Sequence, residues 1–411
     1  MSELLSPVTP TQRIKSLDVL RGFAVLGILI MNIQSFSMIG AAYLNPTAYG
    51  DLTGVNWWVW LLSHIFTDQK FMTIFSILFG AGILLFTERI EASQRSPRSL
   101  HYRRIMWLLL IGAIHGYLFW QGDILFSYAL CGLLVYLFRK LRPTRLFVIG
   151  LIVISVASLL YLFFGWTIKF WPRESYEMNL QWWQPSQDTV TKELTMLRGD
   201  FASQLAYRIP MTFMFQTMIF LIWNGWRVGG LMLVGMALYK SGFLSAQRSG
   251  KLYVIAALIG YGIGIPVVAC GVQHNIDAGW TMDFSMFFGW QYNYWGSLFI
   301  SAGHIAIVML IMQSKLFQRM KNYLAAVGRT AFTNYLAQTF ICTTIFYGHG
   351  FGLFGSVDRI HQLIIVAAIW LVQIPISVIW LKYFRFGPFE WLWRTITYWK
   401  IQPMRPEPTG N

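Results

Sequence analysis

Residues 17–38, L-D-V-L-R-G-F-A-V-L-G-I-L-I-M-N-I-Q-S-F-S-M, are long and apolar enough to cross a bilayer, yet they carry Asp18 and Arg21 at the start and Asn32 near the end. Arg21 and Asn32 are eleven residues apart. At about 100° per residue both project from one face, roughly 16 Å apart along the axis. A charge at mid-membrane costs about 2.5–3.5 kcal/mol even on the lenient insertion scale, so a polar stripe on a spanning helix points to function.

The remainder of the chain agrees with a membrane reading. Of 411 residues, 56% are hydrophobic and 12% charged, and the apolar residues fall in blocks of helical length. The net charge of +15 is loop charge at alternate ends of those blocks, which excludes nucleic acid as the partner and makes the lipid bilayer the expected one. Cys131, Cys270 and Cys342 lie within apolar blocks at no metal-like spacing, so neither a metal nor a disulfide framework is expected. Arg13 and Lys15 precede the first apolar run, but no small-residue cleavage site follows, so the run reads as an uncleaved span.

The expected fold is all-α: a polytopic transmembrane helical bundle of about ten crossings with short interfacial or re-entrant helices, both termini on the cytoplasmic side of a bacterial inner membrane. Residues 1–400 form one membrane-embedded domain. Its N-terminal half covers 14–166, its outer segment 167–208 and its C-terminal half 209–400, with 401–411 a disordered tail. Spans are predicted at 17–38, 69–87, 105–120, 123–138, 146–166, 226–240, 252–273, 296–313, 325–347 and 361–383. The Trp-rich 57–66 is interfacial. Positive-inside logic requires an odd number of crossings between 209 and 240, so 206–223 is expected to be partly embedded or re-entrant. Ser76 and Gly80 give a small-xxx-small contact for helix packing.

Candidate chemistry lies at the predicted outer depth. His115 sits near the outer end of one helix and Asp123 opens the next, so an antiparallel hairpin joins imidazole to carboxylate, as general-base catalysis requires. The alternative is a bond that merely locks the hairpin. His64, Asp68 and Lys70 cluster at the outer entrance of the second span, where Lys70 and Asp68 can also snorkel and pair. Thr330, Asn334 and Gln338 recur every fourth residue, either lining a substrate cavity or bonding neighbouring helices. His304 reads as a packing residue, Trp226 and Arg227 as interfacial anchors, and Arg103 and Arg104 as loop charge or phosphate ligands. The chain has no Walker loop, G-x-G-x-x-G, G-x-S-x-G or H-E-x-x-H, so ATP-driven transport, dinucleotide chemistry, the α/β-hydrolase elbow and zincin proteolysis are unsupported.

Several stretches together resemble a known family: L-D-V-L-R-G at 17–22, F-S-I-L-F-G-A-G at 75–82, I-H-G-Y-L-F-W-Q-G-D-I-L at 114–125, W-R-V-G-G-L-M-L-V-G-M-A-L-Y at 226–239, G-R-T-A-F-T-N-Y-L-A-Q at 328–338 and G-P-F-E-W-L-W-R at 387–394. The set resembles the YeiB family of bacterial inner-membrane proteins, a domain of unknown function. More distantly it is similar to the transmembrane acyltransferase superfamily, which includes the O-acetyltransferases of bacterial surface sugars and the lysosomal heparan N-acetyltransferase. That resemblance implies a bundle that takes an acyl group from cytoplasmic acyl-CoA and delivers it to an outer-side acceptor such as a sugar. The bacterial acyltransferases carry a basic residue, ten intervening residues and a histidine on the first helix. Arg21 fits the first position, but Asn32 stands at the second, and an amide accepts no proton at neutral pH.

The expected site therefore has His115 and Asp123 as the catalytic base pair, with Asn32 and His64 beside them. Arg21, Arg103 and Arg104 are expected to hold the donor, and Asp18, Lys70, Asn334 and Gln338 to line the substrate path. A carrier or flippase for a small amphiphile, using the same stripe and helices broken near Pro266, Pro375 and 224–227, is the alternative from another class. A non-enzymatic membrane scaffold is the third reading.

Overall fold

The computed structural model describes residues 13–405, so most of the predicted C-terminal tail lies outside the described residues. The chain is about 80% helical, with no strand among the described residues. Its helices are α1 (Lys15–Ser37), α2 (Gly54–Phe66), α3 (Lys70–Ala92), α4 (Arg98–Leu118), α5 (Leu125–Val135), α6 (Pro143–Thr167), α7 (Arg173–Trp183) and α8 (Gln187–Arg198). There follow α9 (Phe201–Lys240), α10 (Gly250–Asp277), α11 (Met282–Gln313), α12 (Gln318–Arg329), α13 (Ala331–Phe346), α14 (Arg359–Tyr383) and α15 (Pro388–Tyr398).

Local sequence sets several of the boundaries. Pro143 opens α6 with its fixed φ and missing N–H where no intrahelical donor is needed. Ser186, Asp200 and Ser249 cap α8, α9 and α10 by accepting the N–H of Thr189, Ser203 and Leu252. Gln69 sits in the left-handed region at φ 62°, so the chain turns sharply between α2 and α3.

The chain passes back and forth between two ends. At the basic end, Ser16 reaches the Leu244 carbonyl, Lys240 the Arg139 and Leu141 carbonyls, and Trp393 the Arg104 carbonyl. At the opposite end, Asn45 reaches Trp183, Trp183 reaches Trp280, and Arg198 reaches Phe354. Among the described residues, seven helical stretches are long and apolar enough to cross a membrane, namely 15–37, 54–92, 143–170, 201–240, 250–277, 282–313 and 359–383. Helices α4, α5 and α13 are shorter or more polar and make the remaining passes between the two ends.

Close packing depends on residues without side chains. Gly80 of α3 abuts the Met232 carbonyl of α9, and Gly235 of α9 abuts the Ile77 carbonyl of α3, so a methyl at either position would overlap backbone. Ser76 instead bonds the Tyr128 hydroxyl at 2.9 Å.

Three expectations need correction. The segment 206–223 is neither re-entrant nor separate: residues 201–240 are one helix, with wide π-type turns at 215–224. At 40 residues it is about 60 Å long, twice a hydrocarbon core of about 30 Å, so this one helix is long enough to cross and to extend beyond the core. The predicted span 325–347 is divided at Thr330 into α12 and α13. Helices α10 and α14 run unbroken through Pro266 and Pro375, which removes the broken helices that favoured a carrier.

Candidate functional site

The hairpin of α4 and α5 brings His115 and Asp123 into contact. Gly112 lies directly against the backbone of Phe126, which lets the two helices close tightly. The His115 Nδ1 donates to Asp123 Oδ2 at 2.7 Å, and Asp123 Oδ1 accepts the Phe126 N–H at 2.8 Å, which fixes the carboxylate at the start of α5. Because a carboxylate only accepts, Nδ1 carries a proton, and in the neutral imidazole Nε2 is then the acceptor. Thr339 of α13 fills that position, its hydroxyl donating to Nε2 at 3.0 Å. Tyr335, one turn earlier on α13, packs at 5.4 Å from the imidazole and accepts the Ile124 N–H at 3.4 Å. Both members of the pair are buried, with side chains 3% and 1% exposed. An oriented, dry imidazole with one acceptor nitrogen facing a hydroxyl is the geometry of a general base.

Thr339 escaped the sequence reading, which followed the Thr330, Asn334, Gln338 stripe. Residues 335, 339 and 343 form a second series with the same spacing, about 100° further round the helix. The two stripes have different partners. Asn334 donates to Ser377 and Thr330, Gln338 to Gln373 and the Val25 carbonyl, and Gln373 returns a bond to the Asn334 carbonyl. Asn334 and Gln338 thus join α13 to α14 and α1.

His64, Asp68 and Lys70 form a second cluster at the α2–α3 turn. Asp68 meets His64 Nδ1 at 3.2 Å and accepts from Tyr43 at 3.1 Å and Asn293 at 2.7 Å. Lys70 does not snorkel: it is fully buried and donates to Asn293 Oδ1 at 2.6 Å and the His64 carbonyl at 2.7 Å, because the turn at Gln69 aims the first residue of α3 at α11. Arg227 is no interfacial anchor either. It is fully buried and donates to Thr73, Ser297 and the Tyr294 carbonyl. The hollow at this cluster, bordered by Ile30, Gln34, Tyr43, Trp60, His64 and Asp68, holds about 20 Å³, room for about one water. His304 bonds Tyr261 at 2.7 Å and the Phe66 carbonyl at 2.9 Å, a satisfied packing residue.

The two clusters do not converge. Ile30, Met31 and Gln34 border the His64 hollow, whereas Val25, Leu29 and Phe36 pack in the cluster that contains Trp120 and Tyr335 of the His115 side. On a helix these two sets lie roughly 180° apart, so α1 separates His64 from His115. Asn32 shares the face of Leu29 and Phe36. It is buried, and its amide makes no hydrogen bond among the described residues.

The predicted donor residues gather at the basic end. Arg21 donates to Asp18 at 3.0 Å and to the Gly328 carbonyl at 3.5 Å. Arg103 lies over Trp399 at 4.6 Å, and Arg104 between Phe86 at 4.6 Å and Trp393 at 4.3 Å. Arg104 is within electrostatic range of Arg394 and Arg21, and Arg13 of Arg21 and Arg385. This concentration of like charge surrounds the start of α13, where Glu390 of α15 accepts the N–H groups of Phe332 and Thr333 at 2.7 and 3.2 Å.

Fold and site define the class: an all-helical, multi-pass membrane protein with a buried His–Asp pair toward one end and an arginine cluster at the other. The chain belongs to the family of "Uncharacterized protein YeiB" from Escherichia coli K12, to which it is 34% identical over 398 residues, covering 94% of this chain and 96% of that protein. "Uncharacterized protein YxaH" of Bacillus subtilis is 32% identical, covering 97% of this chain and 98% of its own. The "Uncharacterized 39.9 kDa protein in amylase 3'region" of Bacillus acidopullulyticus is 28% identical, covering 96% of each. The family described as "Protein of unknown function (DUF418)" matches residues 238–400. No solved structure matches the chain.

Proposed function

We propose that this is an integral-membrane acyltransferase of the bacterial inner membrane, with the basic end and both termini in the cytoplasm. It takes an acyl group, in the first instance acetyl, from acyl-CoA at the arginine cluster. It delivers that group to a hydroxyl or amine, such as a sugar's, near the opposite face. The carrying observation is the dyad: His115 is oriented by Asp123 at 2.7 Å, and its second ring nitrogen already faces a hydroxyl at 3.0 Å. An acceptor group that replaces Thr339 there gives its proton to Nε2 as it attacks the thioester carbonyl. The imidazolium, stabilised by Asp123, then protonates the departing thiolate.

The other residues take supporting parts in this reading. Arg21, Arg103 and Arg104, with Arg13 and Arg394, bind the CoA phosphates, whose charge relieves the repulsion among these side chains. Helix α13 links the two regions. Phe332 and Thr333 in its first turn lie against Glu390, and Thr339 is about 10 Å further along the axis than Phe332. Asn32, buried and unpaired on the helix that separates the clusters, is placed to hydrogen-bond a carbonyl, and it moves no proton.

The test is acetyl-CoA binding and thiol release by purified protein in nanodiscs, compared with His115→Ala and Asp123→Asn. The wild type is expected to bind and cleave the thioester, with both variants losing at least about 100-fold in turnover while still binding. Absence of binding by the wild type overturns the class, and unchanged turnover in His115→Ala overturns the assigned base.

A further inference from the structure

Three arginines are fully buried in the bundle, and they are not alike. Arg227 donates three hydrogen bonds, to Tyr294, Thr73 and Ser297. Arg359 also donates three, to the carbonyls of Asp51, Pro46 and Tyr49. Arg208 of α9 makes one: Nη1 donates to the Leu118 carbonyl at 2.5 Å, while Nε and Nη2 have no partner. No carboxylate among the described residues lies within electrostatic range of it. Its neighbours are the rings of Tyr347 at 5.8 Å and Phe201 at 6.0 Å. A buried guanidinium with free donors and no counter-charge is costly, and the cost falls when an anion occupies the free side.

Space for that anion is present. A cavity of about 190 Å³ lies against Arg208, bordered by Leu118, Phe119, Phe340, Thr343, Thr344 and His349. Its rim is mixed. Leu118 and Phe340 are apolar and exposed, whereas Thr344 and His349 are polar and exposed. His349 is held in place by Gln204 Oε1 at 2.8 Å through Nδ1, which leaves Nε2 free.

We propose that this cavity binds an oxyanion, a phosphate or carboxylate group, through the Nε and Nη2 donors of Arg208. The planar guanidinium presents parallel N–H groups that match two oxygens of such a group, and the low dielectric around it strengthens the pairing. The apolar part of the rim accommodates a hydrocarbon attached to the anion, and the polar part a soluble one. Anionic lipid headgroups and free phosphate are the two sources of this chemistry. The cavity lies one turn beyond His115 and Thr339 on their own helices, but the inference does not rest on acyl transfer, because it is read by binding alone.

The experiment uses full-length protein and two probes. In nonionic detergent, thermal unfolding is followed against rising inorganic phosphate, with chloride at matched ionic strength as control. In phosphatidylcholine nanodiscs with or without phosphatidylglycerol, bound phosphatidylglycerol is counted by native mass spectrometry after release from the disc. Wild-type protein is expected to respond in at least one arm: phosphate alone marks a soluble ligand, phosphatidylglycerol alone a lipid. R208K is expected to retain binding, and R208Q to weaken it about tenfold or more. T344W, which fills the cavity from its exposed rim and leaves the arginine in place, is expected to abolish binding. If R208Q does not fold, T344W decides alone. A wild type that responds in neither arm overturns the proposal, as does binding that persists in folded R208Q or in T344W.

Discussion

At the scale of single residues, His115 spends one ring nitrogen on Asp123 and the other on Thr339, and each bond has a different consequence when removed. Thr339→Val keeps the shape and deletes the donor, leaving a buried Nε2 unpaired. Unfolding is expected to become easier by about 1–3 kcal/mol, and Thr339→Ser is expected to restore the loss. Thermal unfolding in detergent reads both. The His115–Asp123 pair was legible in the sequence because a tight turn lies between two residues eight apart, so local geometry fixes their meeting. Lys70 and Arg227 were not legible. Their partners Asn293 and Ser297 are 223 and 70 residues distant, and the depth of a charge in a membrane depends on such partners. Arg208 gave no signal at all, since a single arginine beside an apolar run reads as a boundary charge.

At the scale of elements, α1 and α12 cross with their backbones in close approach. Gly328 faces the Asp18 carbonyl and Gly22 the Leu324 carbonyl, so a methyl at either position would overlap backbone, which cannot yield as a side chain does. Gly328→Ala is therefore expected to cost at least about 1–3 kcal/mol, read as lower yield and a lower unfolding temperature. Glu390 acts across elements, since α15 supplies the carboxylate that caps α13. Burial raises its pKa above 4.5, against the bonds from Thr333 and the Phe332 N–H, which lower it. The folded state therefore holds its proton more tightly than the unfolded chain, and stability falls as pH rises from 4.5 through the raised value. Glu390→Gln is expected to remove that component from a pH series of unfolding temperatures. An unchanged series contradicts the assignment. The motif G-P-F-E-W-L-W-R was visible in the sequence, but its capping role was not, because α13's true start at Ala331 was hidden inside a predicted continuous span.

At the scale of the molecule, charge and topology agree. Loops around 89–104, 139–145, 240–251 and 315–321 meet the start of α1 at one end, and the polar helices α7 and α8 lie at the other. Cysteines placed at Lys140 and at Ser186, both exposed, are expected to react with an impermeant maleimide from opposite sides of the membrane. Labelling of both from one side contradicts the proposed orientation. The all-helical class and the positions of most apolar helices were readable from blocks of apolar residues, whereas the polar helices α7, α8 and α15 were not. The length of α9 was not, because N-G-W-R at 224–227 resembles a break in composition while the backbone continues through it.

The central claim is that an acyl group enters at the arginine cluster and leaves at the opposite face through His115. The most direct measurement uses sealed proteoliposomes of fixed orientation, with acetyl-labelled acetyl-CoA supplied only on the arginine side and glucosamine only on the other. The account predicts free CoA thiol on the donor side and label, as acetylated sugar or acetate, on the acceptor side, with both lost in His115→Ala. Label confined to the donor side, or transfer undiminished in His115→Ala, contradicts it.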